Sequence, residues 1–173
     1  MKKKICAMAI AIVLLVAIGD LNRQDLSAPA QEEDVGFEIS PHHVGISVPN
    51  LEESIAWYHK MLGFEVVTRM TQGASNGMLV ALLQRGNCYI ELFQVAGAKP
   101  LPDYRRDPTA DLHVHGIKHM AYQVSDVLAA TKRLKEKGAE IAMGPVDTPG
   151  VAFVFIRDNS GNTFELIQFK KQQ

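Results

Sequence analysis

The chain has 173 residues, of which 47% are hydrophobic, and its formal net charge at pH 7 is −1. This balance is typical of a soluble globular domain and argues against a disordered chain. Because no basic excess is present to neutralise phosphates, the composition also argues against a nucleic acid partner.

The first 19 residues differ in kind from the rest of the chain. Three lysines, Lys2–Lys4, precede an apolar run, Ile5–Ile18, that ends at Gly19. A basic region before about 14 apolar residues is typical of a secretory signal and is short for a membrane-spanning helix. We therefore predict a signal peptide over residues 1–19, with an uncleaved membrane anchor as the alternative. A polar, flexible leader is predicted over residues 20–40, and the protein is expected to be exported to the periplasm or the extracellular space.

The remaining chain, residues 41–170, repeats one pattern of elements. Two segments, His43–Val48 and His119–Val124, each begin with histidine and then alternate as a half-buried strand does. A helix follows each strand. The N-cap is Asn50 in the first copy and Ser125 or Asp126 in the second. A glycine ends each helix, Gly63 in the first copy and Gly138 in the second.

Three strand-like runs follow each helix, and Gly-Asn precedes the last run in both copies. A proline-containing linker over about residues 96–115 separates the copies. The fold class is therefore α+β, with two paired βαβββ modules over about residues 41–97 and 116–170. The predicted runs are Phe64–Thr71, Met78–Gln84 and Cys88–Val95 in the first copy, and Ala139–Ala142, Val151–Arg157 and Thr163–Phe169 in the second.

Each module has a histidine at the start of its first strand and a glutamate in its last. These are His43 with Glu91 and His119 with Glu165. A glutamate between apolar neighbours on a strand is costly to bury unless it is paired or binds a cation. Each residue alone fits a structural role, but the duplication favours a shared site for one divalent metal ion. Zinc, nickel, cobalt, manganese and iron all remain open, and so does the choice between one chain and a homodimer.

The motifs together resemble the vicinal oxygen chelate superfamily, which includes glyoxalase I, methylmalonyl-CoA epimerase, extradiol dioxygenases and bleomycin-binding proteins. The resemblance covers about residues 40–170. The matching motifs are His43-Val-Gly-Ile-Ser-Val, Ser54-Ile-Ala-Trp-Tyr-His-Lys-Met-Leu-Gly-Phe64, Tyr89-Ile-Glu91-Leu, His119-Met-Ala-Tyr-Gln-Val and Arg157-Asp-Asn-Ser-Gly-Asn-Thr-Phe-Glu165-Leu.

This resemblance implies that His43, Glu91, His119 and Glu165 are metal ligands. It also implies that Glu165 is the catalytic base, with Glu91 as its counterpart, in an isomerase, epimerase or lyase reaction on a small oxygenated substrate. Two alternatives stay open, a non-haem iron ring-cleaving dioxygenase and a binding or resistance protein without catalysis.

Several other residues have weaker claims on the site. His42 is either exposed or a neighbour of the metal ligands, and His113 and His115 lie before the second histidine strand. Arg105 and Arg106 in the linker offer charge for an anionic substrate. Cys88 is expected to be buried and without a disulfide partner.

Overall fold

The computed structural model describes residues 36–71 and 77–170. The chain divides into two units, Met1–Pro41 and His42–Gln173. Residues 36–41 of the first unit are exposed and have no regular secondary structure. The predicted signal peptide and most of the predicted leader lie outside the described residues. Within the part that is described, no helix is long and apolar enough to cross a membrane.

The first module is a four-stranded sheet with one helix. Strand β1 (His43–Ser47) leads into helix α1 (Leu51–Leu62), and strands β2 (Glu65–Thr71), β3 (Leu79–Arg85) and β4 (Cys88–Gln94) follow. The spatial order is β1-β4-β3-β2. Strand β1 is parallel to β4, whereas the other neighbours are antiparallel. The first and last strands of the module therefore lie side by side.

The linker between the modules is partly ordered into short helical turns. A 3₁₀ helix, Asp103–Arg106, is followed by a four-residue helix α2, Pro108–Asp111. The side chain of Asp107 accepts hydrogen bonds from the first turn of α2, at 2.8 Å from the Thr109 amide. An Asp-Pro pair of this kind, an N-cap followed by proline at N1, is a local signal for the start of a helix.

The second module repeats the first. Strand β5 (Met120–Gln123) leads into helix α3 (Val127–Glu136), and β6 (Glu140–Asp147), β7 (Val151–Arg157) and β8 (Thr163–Phe169) follow. The order is β5-β8-β7-β6, again with the first strand parallel to the last. The predicted α+β fold with two βαβββ modules is confirmed.

Local sequence determines where α1 begins and ends. The Asn50 side chain accepts a hydrogen bond from the Glu53 amide at 3.2 Å and donates one to the Glu53 carboxylate at 2.9 Å. This reciprocal pair satisfies a free amide of the first turn and fixes the helix start. At the other end Gly63 adopts a left-handed conformation, φ 68°, which a side chain would disfavour. Both predicted ends are confirmed.

One hydrophobic core joins the two modules. Tyr58 of α1 is fully buried, and its ring meets Phe164 of β8 edge-on at 5.8 Å between centroids. Its hydroxyl donates a hydrogen bond to Asp158 at 2.7 Å. Burial and the charge of Asp158 raise the pKa of Tyr58, so that the phenol stays a neutral donor. Burial of one such side chain contributes about 1.5–3 kcal/mol to stability.

Two expectations about individual segments were wrong. Strand β6 extends to Asp147, beyond the predicted end at Ala142, because two irregularities in its pairing interrupt the alternation that marks a strand. Cys88 is exposed rather than buried. Its partner in the strand register is Arg85 at the β3–β4 turn, where residues 85–88 are all exposed.

Candidate metal centre

The first histidine–glutamate pair forms across two parallel neighbouring strands. His43 of β1 lies opposite Tyr89 of β4, and Gly45 lies opposite Glu91. Because side chains two residues apart share a face of a sheet, His43 and Glu91 point to the same side. The His43 Nε2 atom lies 3.2 Å from Glu91 Oε2.

The second pair has the same construction. His119 precedes β5, in which Ala121 lies opposite Glu165 of β8. The His119 Nε2 atom lies 3.2 Å from Glu165 Oε2, the same distance as in the first module. The duplication seen in the sequence is therefore a duplication of local geometry.

The two glutamates differ in their surroundings. The Glu165 side chain is 6% exposed and has Phe155 of β7 opposite it, whereas the Glu91 side chain is 18% exposed and has Leu82 opposite it. Phe155 also meets the His119 ring edge-on, at 5.0 Å between centroids. Glu165 Oε1 is buried and has no hydrogen-bond partner in the described part of the chain. A buried carboxylate oxygen without a partner is costly, and such atoms often face an absent ligand or have a catalytic role.

A neighbouring histidine holds the orientation of His43. The Nδ1 atoms of His42 and His43 lie 2.7 Å apart, so one of these nitrogens donates to the other. The His42 ring in turn stacks on Tyr89, at 5.2 Å between centroids and 13° between planes. This contact leaves His43 Nε2 directed at Glu91, which is the arrangement expected of a metal-ligating imidazole with an outer partner.

Gly45 provides room on the same face for an aromatic side chain. A Cβ atom added at Gly45 would lie 2.9 Å from Cε2 of Phe93. Phe93 therefore covers β1 between His43 and Ser47 and forms an apolar wall beside the first pair. The glycine in the His-Val-Gly motif is explained by this close approach.

The spacing of each histidine–glutamate pair suits two adjacent ligand positions on one metal ion. Two ligands at about 2.1 Å from a metal and roughly 90–109° apart lie about 3.0–3.4 Å from each other. The observed 3.2 Å between imidazole nitrogen and carboxylate oxygen agrees with that geometry. Among the described residues, however, no group of three or more His, Cys, Asp or Glu side chains lies close enough to hold a metal ion. The structure brings the four predicted ligands together as two pairs.

The other candidate residues differ in whether they contact a predicted metal ligand. His42 contacts a predicted ligand, whereas His113 and His115 are exposed. The buried carboxylate of Asp111 forms ion pairs with Arg105, at 3.4 Å, and with Lys118, at 3.2 Å. These ion pairs anchor the linker just before His119. Phe155 was not predicted as a site residue, because its place in an unbroken apolar strand resembles that of any core residue.

Comparisons with known proteins agree with the observed fold. Residues 40–166 match a family model described as the Glyoxalase/Bleomycin resistance protein/Dioxygenase superfamily. Ethylmalonyl-CoA/methylmalonyl-CoA epimerase of Cereibacter sphaeroides is 34% identical over 134 residues, covering 73% of this chain and 96% of that protein. Mitochondrial methylmalonyl-CoA epimerase of Homo sapiens is 29% identical over 133 residues, covering 73% and 72%. A glyoxalase family protein from Bacillus cereus superposes with a TM-score of 0.65 at 20% identity, covering 81% of this chain and 100% of that one.

Proposed function

Since the chain belongs to the glyoxalase/bleomycin resistance protein/dioxygenase superfamily, we propose that it is a divalent-metal-dependent enzyme of the isomerase or lyase type. The reaction is proton transfer at a carbon next to a carbonyl group, as an epimerase performs it. The single observation that carries this proposal is the repeated imidazole–carboxylate pair, with Glu165 Oε1 buried and without a partner among the described residues. The resemblance to two epimerases supports the same reaction class.

His43, Glu91, His119 and Glu165 are the residues that would hold the ion. Two neutral imidazoles and two carboxylates offer mixed nitrogen and oxygen donors, which suit zinc, nickel, cobalt, manganese or iron. When bound, such an ion supplies Lewis acidity that polarises a carbonyl oxygen and acidifies the adjacent C–H bond.

Glu165 is the proposed base. Its Oε2 atom faces His119, whereas Oε1 is free of protein donors in the described residues and can accept a proton from carbon. Phe155 lies opposite Glu165 in the register of β7 and β8, and the carboxylate is largely shielded from solvent. Glu91 has the equivalent place in the other module, so it is the proposed acid that returns a proton from the opposite side. One carboxylate from each module thus supplies the two proton-transfer groups that an epimerisation needs.

The proposed substrate is a small oxygenated metabolite whose reacting C–H bond lies beside one or two carbonyl groups. Because the relatives at 34% and 29% identity are named methylmalonyl-CoA epimerases, methylmalonyl-CoA is the first compound to test. A panel of small 2-oxo and 2-hydroxy acids extends the test to substrates without a coenzyme A group.

Solvent-deuterium exchange tests the proposal directly. Protein loaded with each divalent metal in turn is incubated with these compounds in D₂O, and incorporation at the carbon next to the carbonyl is followed by mass spectrometry. We expect exchange that disappears on chelation and returns with metal. His119→Ala should abolish it, whereas His113→Ala, which alters an exposed linker histidine, should not.

Two results would contradict proton transfer as the function. Metal-loaded protein that catalyses no exchange but consumes oxygen with catechols, in its iron form, would indicate a ring-cleaving dioxygenase instead. Protein that binds no divalent metal at all would indicate a binding or resistance protein.

We also propose that the protein is exported and forms a homodimer. Export rests on the basic and apolar regions of residues 1–19, and it is tested by fractionating cells that express the full chain. Recovery of the protein only in the cytoplasmic fraction would contradict it. Sedimentation equilibrium tests the dimer.

A further inference from the structure

A cavity lies between the modules, away from the histidine–glutamate pairs. The cavity has a volume of about 900 Å³ and extends from the end of α1 and the β3–β4 turn to β5 and α3. Leu166 lines it, whereas Glu165, one residue earlier on β8, points to the other face of the sheet. The cavity and Glu165 are therefore on opposite faces of the second sheet.

The floor of the cavity is apolar and aromatic. Phe64 and Tyr122 line it with Leu166, and the centroids of the two rings lie 6.0 Å apart. Burial, and to a smaller extent the neighbouring Cys88, raises the pKa of Tyr122, so its phenol stays neutral. The floor of the cavity therefore carries no charge and suits the apolar part of a ligand.

The rim of the cavity is cationic. Arg85, Arg133 and Lys137 line it, and Asp126 is the one acidic residue among its lining residues, all of which lie in the described part of the chain. The Asp126 side chain is occupied as the N-cap of α3, 2.8 Å from the Ala129 amide. Arg85 and Lys137 donate to backbone carbonyls, Leu62 and Lys60, which orient both cations without neutralising them.

From this combination we propose that the cavity binds a small amphiphilic anion, a compound with one acidic head group on an aromatic or aliphatic body. The head group meets the cationic rim and the body rests on the aromatic floor. The volume lies within the roughly 300–1,000 Å³ range of ligand pockets. Charge complementarity favours an anion, because the lining holds three cations against the one carboxylate of Asp126.

A matched pair of fluorescent probes tests this site. The first is 8-anilinonaphthalene-1-sulfonate, and the second is N-phenyl-1-naphthylamine, which has the same aromatic body without the sulfonate. We expect the double variant Arg133→Gln/Lys137→Gln to weaken binding of the sulfonate about tenfold, measured as Kd, and to change binding of the neutral probe by less than about twofold. The control is Lys132→Gln/Lys135→Gln, which removes two cations of the same helix that do not line the cavity.

Equal weakening by the two double variants would overturn the proposal, because it would show a general effect of charge. So would equal loss of both probes from the Arg133→Gln/Lys137→Gln protein. A second measurement tests whether the sulfonate probe binds in this cavity. In the Cys6→Ser full chain, the sulfonate should slow alkylation of Cys88, which lines the cavity and is exposed. An unchanged alkylation rate would also overturn the proposal.

Discussion

Glu165 and Glu91 occupy the same position in their modules, yet only Glu165 has an oxygen that is buried without a partner in the described residues. Desolvation of that oxygen costs free energy in the metal-free protein. A buried carboxylate oxygen without a partner often faces an absent ligand or has a catalytic role, and it does not stabilise the fold. The difference between the two residues therefore predicts a difference between their variants.

We predict that Glu165→Gln lowers turnover by about 10²–10⁴-fold, because the amide cannot accept the proton. The same change should leave the Tm of metal-free protein unchanged or higher, since it removes a buried charge. Deuterium exchange and calorimetry measure the two effects. Glu136→Gln, at an exposed position of α3, is the control and should change neither. A Tm that falls together with activity would argue for a structural role of Glu165.

His42 is predicted to act through His43. His42→Phe keeps an aromatic ring that can stack on Tyr89 but removes the nitrogen 2.7 Å from His43 Nδ1. We expect metal affinity to weaken by about 10–100-fold, as for other partners of metal-bound histidines. Isothermal titration with metal measures this, and His59→Phe, in an exposed helix position, is the control. Unchanged affinity would show that His42 does not position His43.

Helix α1 connects the modules through one buried hydrogen bond. Asp158 accepts it from Tyr58 and also accepts from the Ser160 and Asn162 amides, both at 2.8 Å. The two latter bonds close the turn before β8, in which Glu165 lies. Tyr58 thus couples the helix of one module to the turn that precedes the predicted base of the other.

Tyr58→Phe should destabilise the protein by about 1–2 kcal/mol at neutral pH, because it removes one buried donor and leaves Asp158 its other partners. The folded-state pKa of Tyr58 is raised above its ordinary value of 10.0. The stability that Tyr58 contributes is therefore fully present below about pH 10. It is lost as pH rises above 10, because there Tyr58 ionises only in the unfolded state. Between pH 8 and 11 the alkaline loss of unfolding free energy, measured with denaturant, should be smaller in Tyr58→Phe than in the natural protein by about 1.4 kcal/mol in total, nearly all of it above pH 10. Tyr104→Phe, at an exposed tyrosine, should not show this change.

For the whole molecule, the proposed function requires that the two pairs share one ion. In the described residues each pair supplies two donors and no larger group forms. A second copy could complete the set by placing its His119 and Glu165 beside His43 and Glu91 of the first. Closed two-fold symmetry would then give two equivalent sites per dimer.

Co-expression of Glu91→Gln with Glu165→Gln chains tests this arrangement. If each site takes one pair from each copy, half of the dimers are mixed and each mixed dimer has one intact site. We expect about one quarter of the natural activity to return, although neither variant is active alone. No recovery in mixed dimers would indicate that all four ligands come from the same chain.

Much of the fold, and less of the site, was predictable from the sequence. The repeated strand starts at His43 and His119 and the capping signals at Asn50 and Gly63 were sufficient for two βαβββ modules. These signals are local, so they could be read without the fold. Contacts between distant segments produce three other features: the Glu165 oxygen without a partner, the Tyr58–Asp158 hydrogen bond and the cavity rim at Arg133. No periodic pattern in the sequence indicates such contacts.

Strand β7 differs from every other described strand in that all seven of its residues are buried. At the far edge of the first sheet, the described side chains of β2, residues 65–70, are exposed. Amide hydrogens of β7 should therefore exchange with solvent only when the whole protein unfolds, whereas those of β2 should exchange through local fraying. Glu165, on the strand next to β7, is thus expected to lie in the slowest-exchanging part of the described chain, where local fraying of β2 leaves it in place.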